Sequence, residues 1–371
     1  MESKSNIVVA NEIVSARRLI YKPTMRGRFI QFSQSIHDKI RSGRVSRLKS
    51  PLSVFWAITD TCNLGCKYCY AATNRNRTIP LCLDLCVELI DELASLEVCE
   101  IILEGGEPLL HPFLLDILHY IKQKGLVVSI LTNATKLNGD LAKKIFSTLN
   151  SKFDAIQISL DGNRFATDTL RGTNTYDTVL SNLSYIKEVP WDNIIINCVI
   201  TKQNYMHIFD MCQDIVSHTG VYKVHFSPVF GVGDDLKIDQ LQFTAAHNEY
   251  MRITNAFSGK LEISGYFIPD SLLLRDKTIW NIIKDDPSCF GCCAGRSKLF
   301  IAPDGECYPC TFMRYKQYSI GKFPNHSISE IWTSAGEIDY INKSYFISQD
   351  MNTQKNFQEY CAIARLAKER L

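Results

Sequence analysis

The segment Thr61-Cys62-Asn63-Leu64-Gly65-Cys66-Lys67-Tyr68-Cys69-Tyr70 sets three thiols at the spacing C-x3-C-x2-C, directly after a short β-rich run. Three thiolates this close can wrap one face of a compact iron–sulfur cluster. A closed cubane normally takes four cysteines. Three local ligands therefore leave one iron open to a substrate or cofactor, as catalytic zinc sites keep an open position. Zinc is the alternative occupant, although it is more often held by paired C-x2–4-C hooks than by a triple.

A second cysteine-dense region, Cys289-Phe290-Gly291-Cys292-Cys293-Ala294-Gly295, leads into Ile301-Ala302-Pro303-Asp304-Gly305-Glu306-Cys307-Tyr308-Pro309-Cys310. Asp304-Gly305 is a turn signal between two short strands. A hairpin with a cysteine near each end can deliver two ligands to one cluster. The chain has 14 cysteines. Without an export signal such thiols stay reduced, so metal or redox chemistry is expected rather than disulfides. Cys82 and Cys86, one helical turn apart, read as buried helix-face thiols, and Cys99 and Cys212 as core residues. Cys198 lies on a strand where an inward side chain would face a substrate. His225 reads as a structural hydrogen-bonding residue.

The elements that must position these groups follow from periodicity. Strands are expected at Ser53–Thr59, Glu100–Leu103, Val127–Thr132, Ala155–Leu160, Ile194–Thr201 and Lys223–Pro228. Between them, Leu85, Leu89 and Leu93 share a helical face, as do Leu141, Ile145 and Leu149, and Val179, Leu183 and Ile186. Strands alternating with helices imply a parallel α/β sheet. An open barrel and a doubly wound sheet both fit, and both place their chemistry at the C-terminal strand ends. Gln354–Leu371 reads as a closing helix.

Cys62, Cys66 and Cys69, with Tyr68 at the aromatic position, resemble the C-x3-C-x-Φ-C signature of radical S-adenosylmethionine (SAM) enzymes. Gly105-Gly106-Glu107-Pro108 after the second strand is similar to that family's GGEP motif. Leu131-Thr132-Asn133, Ile158-Ser159-Leu160-Asp161-Gly162 and Arg171-Gly172 follow in the family's order. Cys293-Ala-Gly, then Gly305 and Cys310, resemble the opening of a SPASM/Twitch auxiliary-cluster region. The resemblance implies a partial (β/α)6 TIM-like barrel over residues 51–258, a Cys-rich SPASM/Twitch module over 259–371 and a basic extension over 1–50.

It also implies cofactors: a [4Fe–4S] cluster on Cys62, Cys66 and Cys69, SAM on its open iron, and one auxiliary [4Fe–4S] cluster. Cys293, Cys310 and Cys361 would hold the auxiliary cluster, with a fourth ligand from Cys289, Cys292 or Cys307, or none. In such enzymes one electron cleaves SAM to a 5′-deoxyadenosyl radical, which removes a hydrogen atom from a substrate C–H; the protein binds, orients and excludes water. Carried over, Gly105 and Gly106 allow close backbone approach, and Glu107 accepts from the SAM ammonium. Ser159 and Asp161 lie near the ribose, Arg171 meets the SAM carboxylate, and Thr132 and Asn133 add polar contacts. Glu104 departs from the pattern: relatives commonly carry a small or hydroxylated residue there, and a second carboxylate is expected either to face the substrate or to pair with a nearby base.

Composition limits the partners. The net charge is +2 over 371 residues, which gives no case for nucleic acid or membrane. Residues 1–50 hold 11 Lys/Arg against 3 Asp/Glu. That basic stretch reads chiefly as a solvated surface; an acidic leader peptide is its alternative partner. No apolar run reaches the ~20 residues that span a bilayer, and no signal pattern opens the chain, so a cytoplasmic protein is expected. The first functional reading is modification of a ribosomally synthesised peptide, with flavodoxin or ferredoxin as electron donor. The alternatives are a small-molecule dehydrogenase or dehydratase and a non-catalytic iron–sulfur electron carrier.

Overall fold

The computed structural model describes residues 25–41, 47–71, 78–185, 187, 191–229, 235–265 and 293–337. Six strands alternate with helices: β1 (Ser53–Thr59), β2 (Glu100–Gly105), β3 (Val127–Thr132), β4 (Ala155–Ser159), β5 (Ile194–Ile200) and β6 (Lys223–Pro228). They are rich in β-branched and aromatic residues, which suit a pleated, covered surface. All six are parallel, and each lies beside its neighbours in sequence. A doubly wound sheet would reverse this order at a switch point. The chain instead winds one way, as a barrel does.

The sheet continues past both ends of this set. β7 (Glu262–Gly265) pairs parallel with β6, a few residues beyond the expected boundary at 258. At the other edge β8 (Lys298–Ile301) runs parallel to β1, from Ser53 opposite Lys298 to Trp56 opposite Ile301. β9 (Glu306–Tyr308) turns back on β8, and β10 (Gly321–Lys322) pairs with β9. The expected hairpin around Asp304-Gly305 is therefore β8–β9, and it extends the barrel sheet.

An outer layer of helices buries apolar stripes at helical spacing. α1 (Met25–Arg41) is the first helix among the described residues. α2 (Leu83–Ser95) buries Cys86, Leu89, Ile90 and Leu93, α3 (Leu114–Gln123) Leu114, Ile117, Leu118 and Ile121, and α4 (Gly139–Thr148) Ala142, Ile145 and Phe146. α5 (Arg164–Arg171) and α6 (Thr175–Tyr185) follow β4, α7 (Ile208–His218) follows β5 and α8 (Gln240–Ala256) precedes β7. Cys212 is buried as expected, whereas Cys82 is exposed and Cys99 half-buried.

α1 covers the N-terminal ends of the strands. Arg26 donates to Glu100 Oε1 at 2.8 Å, to Ser129 Oγ at 2.9 Å and to the Phe153 carbonyl at 2.8 Å. Arg47 donates to the Gly295 carbonyl at 2.8 Å and lies 4.2 Å from the Trp332 ring centroid. These two bases of the N-terminal stretch are structural, in contrast to the solvated surface read from charge alone.

Candidate active site

The first cysteine loop leaves the C-terminal end of β1 and is fastened from three sides. From β2, Gly106 N donates to the Thr59 carbonyl at 2.7 Å and Glu107 N to the Thr61 carbonyl at 2.8 Å. A Cβ on Gly105 would lie 2.2 Å from the Thr59 oxygen, and one on Gly106 2.2 Å from the Thr61 oxygen; Gly105 also has φ +133°. The paired glycines are thus required where β2 meets the cysteine loop. Their close approach is to protein backbone, not only to a ligand as the motif reading had it. From α5, the Leu170 carbonyl accepts from Lys67 N at 2.9 Å. After β3, Asn133 Nδ2 reaches Cys62 Sγ at 3.9 Å and Asn63 Oδ1 at 3.1 Å.

Glu107 is fully buried. It caps the short 3-10 helix Pro108–Leu110, with Pro108 at the first helical position. Its Oε1 accepts from Thr132 Oγ1 at 2.6 Å and Leu109 N at 3.1 Å, and its Oε2 accepts from Asn133 N at 2.7 Å. Burial raises its pKa against these hydrogen bonds. Glu107 therefore fixes the Thr132–Asn133 turn from behind.

Asp161 is likewise sealed. It accepts from Arg171 Nε at 2.6 Å, from Val199 N at 2.9 Å and from the Tyr68 hydroxyl. Placed near the ribose by the motif reading, it stands behind the cavity wall as the anchor of Arg171 and Tyr68. Arg171 lies over the Tyr68 ring at 5.3 Å and sends Nη1 to Cys66 Sγ at 3.9 Å. Burial is the largest influence on the Arg171 pKa and lowers it, but Asp161, Tyr68 and Cys66 together outweigh it and keep the guanidinium charged. Burial raises the Cys66 thiol, and Arg171 opposes that rise.

These elements enclose a cavity of about 280 Å³. Cys62, Cys66 and Cys69 all line it, with Tyr68, Gly105, Gly106, Thr132, Asn133, Ser159 and Arg171. Sequence reasoning missed Tyr70, Gln157, Asn197, Val199, Ser227 and Phe312, which also line it. A signal for three of them was present: Gln157, Asn197 and Ser227 are polar residues inside apolar strand runs, and Gln157 and Ser159 share one face of β4. Cys198, one residue from two cavity residues, points the other way. It is fully buried in the core, and Asn204 Nδ2 lies 3.9 Å from its Sγ. The strand's two-residue period turns it away from the cavity, so the inward orientation that a substrate contact requires is not met. His225 is bonded to Ser264 Oγ at 3.0 Å, in the structural role expected of it.

Among the described residues no three Cys, His, Asp or Glu side chains converge closely enough to hold one metal ion. Three thiols lining one cavity suit a cluster, whose thiolates bind separate irons. The cationic Arg171 beside Cys66 favours a thiolate-bound, negatively charged occupant. The site fits a [4Fe–4S] cluster with an open corner.

In the second region Gly295 N donates to the Pro309 carbonyl at 3.2 Å, bringing the turn after Cys293 to the residue before Cys310. Cys307 packs in the core with no exposure. Cys289, Cys292 and Cys361, and the helix expected at 354–371, lie outside the described residues. The segment after Cys310 reaches the first site: Arg314 pairs with buried Asp60 at 2.9 Å, and Phe312 meets Tyr70 edge-on at 5.1 Å.

A family model of the radical SAM superfamily matches residues 56–215, and one of an iron–sulfur cluster-binding SPASM domain matches 292–362. The chain belongs to the radical SAM superfamily, in its SPASM branch. It is an α/β radical SAM enzyme, with a [4Fe–4S] cluster and SAM implied by the first domain and auxiliary iron–sulfur binding by the second. Among curated relatives, mycofactocin maturase MftC of Mycobacterium tuberculosis is 23% identical over 291 residues, 78% of this chain and 72% of the relative. Fe-coproporphyrin III synthase of Methanosarcina barkeri is 27% identical over 322 residues, 79% and 76% of the two chains. Among solved structures, Streptococcus suis SuiB bound to its precursor peptide SuiA has the same fold, with TM-score 0.62 and 16% identity over 91% of this chain and 75% of that one. The radical SAM family match and the curated enzymes among its relatives set aside the electron-carrier reading.

Proposed function

We propose that this radical SAM enzyme modifies a ribosomally synthesised peptide. When bound, the cluster and SAM supply one-electron cleavage of SAM and hydrogen-atom abstraction from a substrate C–H. The chain's own residues bind and orient around that chemistry. Cys62, Cys66 and Cys69 hold the cluster. Thr132, Asn133, Ser159 and Arg171 face SAM, while Glu107, Pro108 and Asp161 hold those residues in place. Cys293, Cys310 and Cys361 serve the auxiliary cluster. In this reading residues 51–258 form the catalytic barrel, 259–371 the auxiliary-cluster module and 1–50 a basic extension. The electron donor is of flavodoxin or ferredoxin type; nucleic acid and membrane have no part, and the setting is the cytoplasm.

The observation that carries the peptide reading is the cavity wall opposite the cysteines. Gln157 of β4, Asn197 of β5 and Ser227 of β6 present uncharged donors and acceptors, the complement of a main-chain amide. The fold shared with SuiB, solved with its precursor peptide, supports it. A porphyrin, the class named in the Fe-coproporphyrin III synthase relative, carries carboxylates that call for bases. Among the described lining residues Arg171 is the base, and Asp161 already holds it. The test is anaerobic reconstitution of the whole chain, then incubation with SAM, reductant and candidate precursor peptides translated from short reading frames flanking its gene. The expected result is 5′-deoxyadenosine together with a mass change in one of the peptides. 5′-Deoxyadenosine with every peptide unaltered overturns the peptide reading.

A further inference from the structure

Glu104 lies on β2 directly before the paired glycines, opposite Ala57 of β1. It is 4% exposed, yet it lines the cavity. Both protein donors reach one of its oxygens: Oε1 accepts from Thr311 Oγ1 at 2.7 Å and from the Tyr70 hydroxyl at 3.2 Å. Those donors follow Cys310 and Cys69 in the chain. Arg314, the cation that bears on Glu104, is bonded to Asp60 at 2.9 Å. Oε2 has no hydrogen-bond partner among the described residues, and it is not sealed in protein, so it meets the open volume.

We propose that Glu104 binds the substrate, its free Oε2 meeting an amide carbonyl of the peptide inside the cavity. The motif that surrounds Glu104 gives it no such task. Desolvation of a carboxyl with no cation of its own favours the protonated acid, and burial does raise Glu104, against the hydrogen bonds of Thr311 and Tyr70 and the charge of Arg314. A neutral acid donates through its proton, and a carbonyl oxygen is the matching acceptor. With Oε1 fixed by two hydroxyls, the donor direction is preset. This inference rests on the peptide reading above and assigns one contact within it.

Two measurements on the reconstituted, SAM-loaded enzyme test it. The first compares binding of the candidate precursor peptides to wild type, Glu104→Ala, Glu104→Gln and Thr311→Val. Glu104→Ala weakens binding about tenfold, the equivalent of one lost hydrogen bond. Glu104→Gln keeps a donor at that position and restores most of the affinity. Thr311→Val, which loosens the segment but leaves Oε2 in place, stays within about twofold of wild type. If Thr311→Val loses as much as Glu104→Ala, Glu104 acts by holding the segment and the proposal falls. The second is infrared difference spectroscopy, wild type minus Glu104→Gln, with N-methylacetamide as an amide probe. A protonated-carboxyl band that shifts when the probe is added supports the contact even if none of the candidate peptides proves to be the substrate. A band that ignores the probe overturns it.

Discussion

Cys62, Cys66 and Cys69 sit in one loop gripped by the ends of β2 and β3 and by α5, whereas Cys293 and Cys310 flank a hairpin added to the edge of the same sheet. In the first region the supports come from the barrel: the paired glycines clasp the loop's backbone, and Arg171 and Asn133 reach its sulfurs. In the second, a backbone bond at the base of the hairpin, Gly295 N to Pro309 O, brings the turn after Cys293 to the residue before Cys310. The comparison teaches that the cavity is built by the barrel and finished by its neighbour. Thr311 and Phe312, from the second region, touch Glu104 and Tyr70 at the cavity's edge.

The largest expected effect breaks the regions apart. Cys62→Ala/Cys66→Ala/Cys69→Ala removes the first cluster and abolishes SAM cleavage. Iron counting and Mössbauer spectroscopy after anaerobic reconstitution should fall from about eight irons per chain to about four, one cubane fewer. Loss of all iron would mean that the second region cannot assemble without the first, and the two would no longer be separable sites.

Next is the pair that supports the first loop alone. Arg171 and Asp161 are nearly inaccessible, with side chains 6% and 0% exposed. Asp161→Asn leaves a buried guanidinium without its counter-charge, a change that costs about 3–5 kcal/mol. Urea-unfolding midpoints at equal cluster loading measure it. Asp161→Asn/Arg171→Gln should recover part of the loss, because the stranded charge is gone.

The barrel itself is tested by acid. Burial lowers the His225 pKa to about 4. The unfolded chain, with histidine near 6.5, binds the proton first, so this contribution is complete above pH 6.5 and is lost as pH falls toward 4. The loss is about 3 kcal/mol. His225→Gln should flatten that part of the stability profile. An unchanged profile would place the acid sensitivity elsewhere.

The same contrast explains what could be read from the sequence. The six strands were legible because their apolar runs are short, separated by helical stripes and punctuated by turns. The first cysteine loop was legible because its ligands are neighbours in the chain. β7 is four residues long and half-buried, too weak a pattern to stand out. β8 was legible as half of a hairpin, but its parallel pairing with β1 joins residues about 245 positions apart, which no local pattern encodes. Within the site, motif order found the residues but not their facing. Glu107 and Asp161 carry the motif, yet both are turned to protein donors, while Gln157 and Asn197 carry no motif and face the cavity. Facing depends on strand register, and register is set by the assembled sheet.

The smallest effect concerns a residue that spacing alone assigns ambiguously. Cys307 stands three positions before Cys310 and fits a C-x2-C hook. In the fold it faces Ile301 across the hairpin and Gly321 on the other side, has no exposure, and donates to the Gly305 carbonyl at 3.5 Å. Burial raises its thiol well above the ordinary range, the setting of an inert core thiol rather than of a ligand. Cys307→Ala should leave the iron content unchanged and lower stability by about 1–2 kcal/mol through a small cavity. Cys310→Ala should do the opposite, reducing auxiliary iron with little effect on the barrel. If Cys307→Ala also lost iron, the hairpin would have to open to present that thiol, and the second region would be a site completed only on cluster binding, unlike the first, whose supports already stand in place.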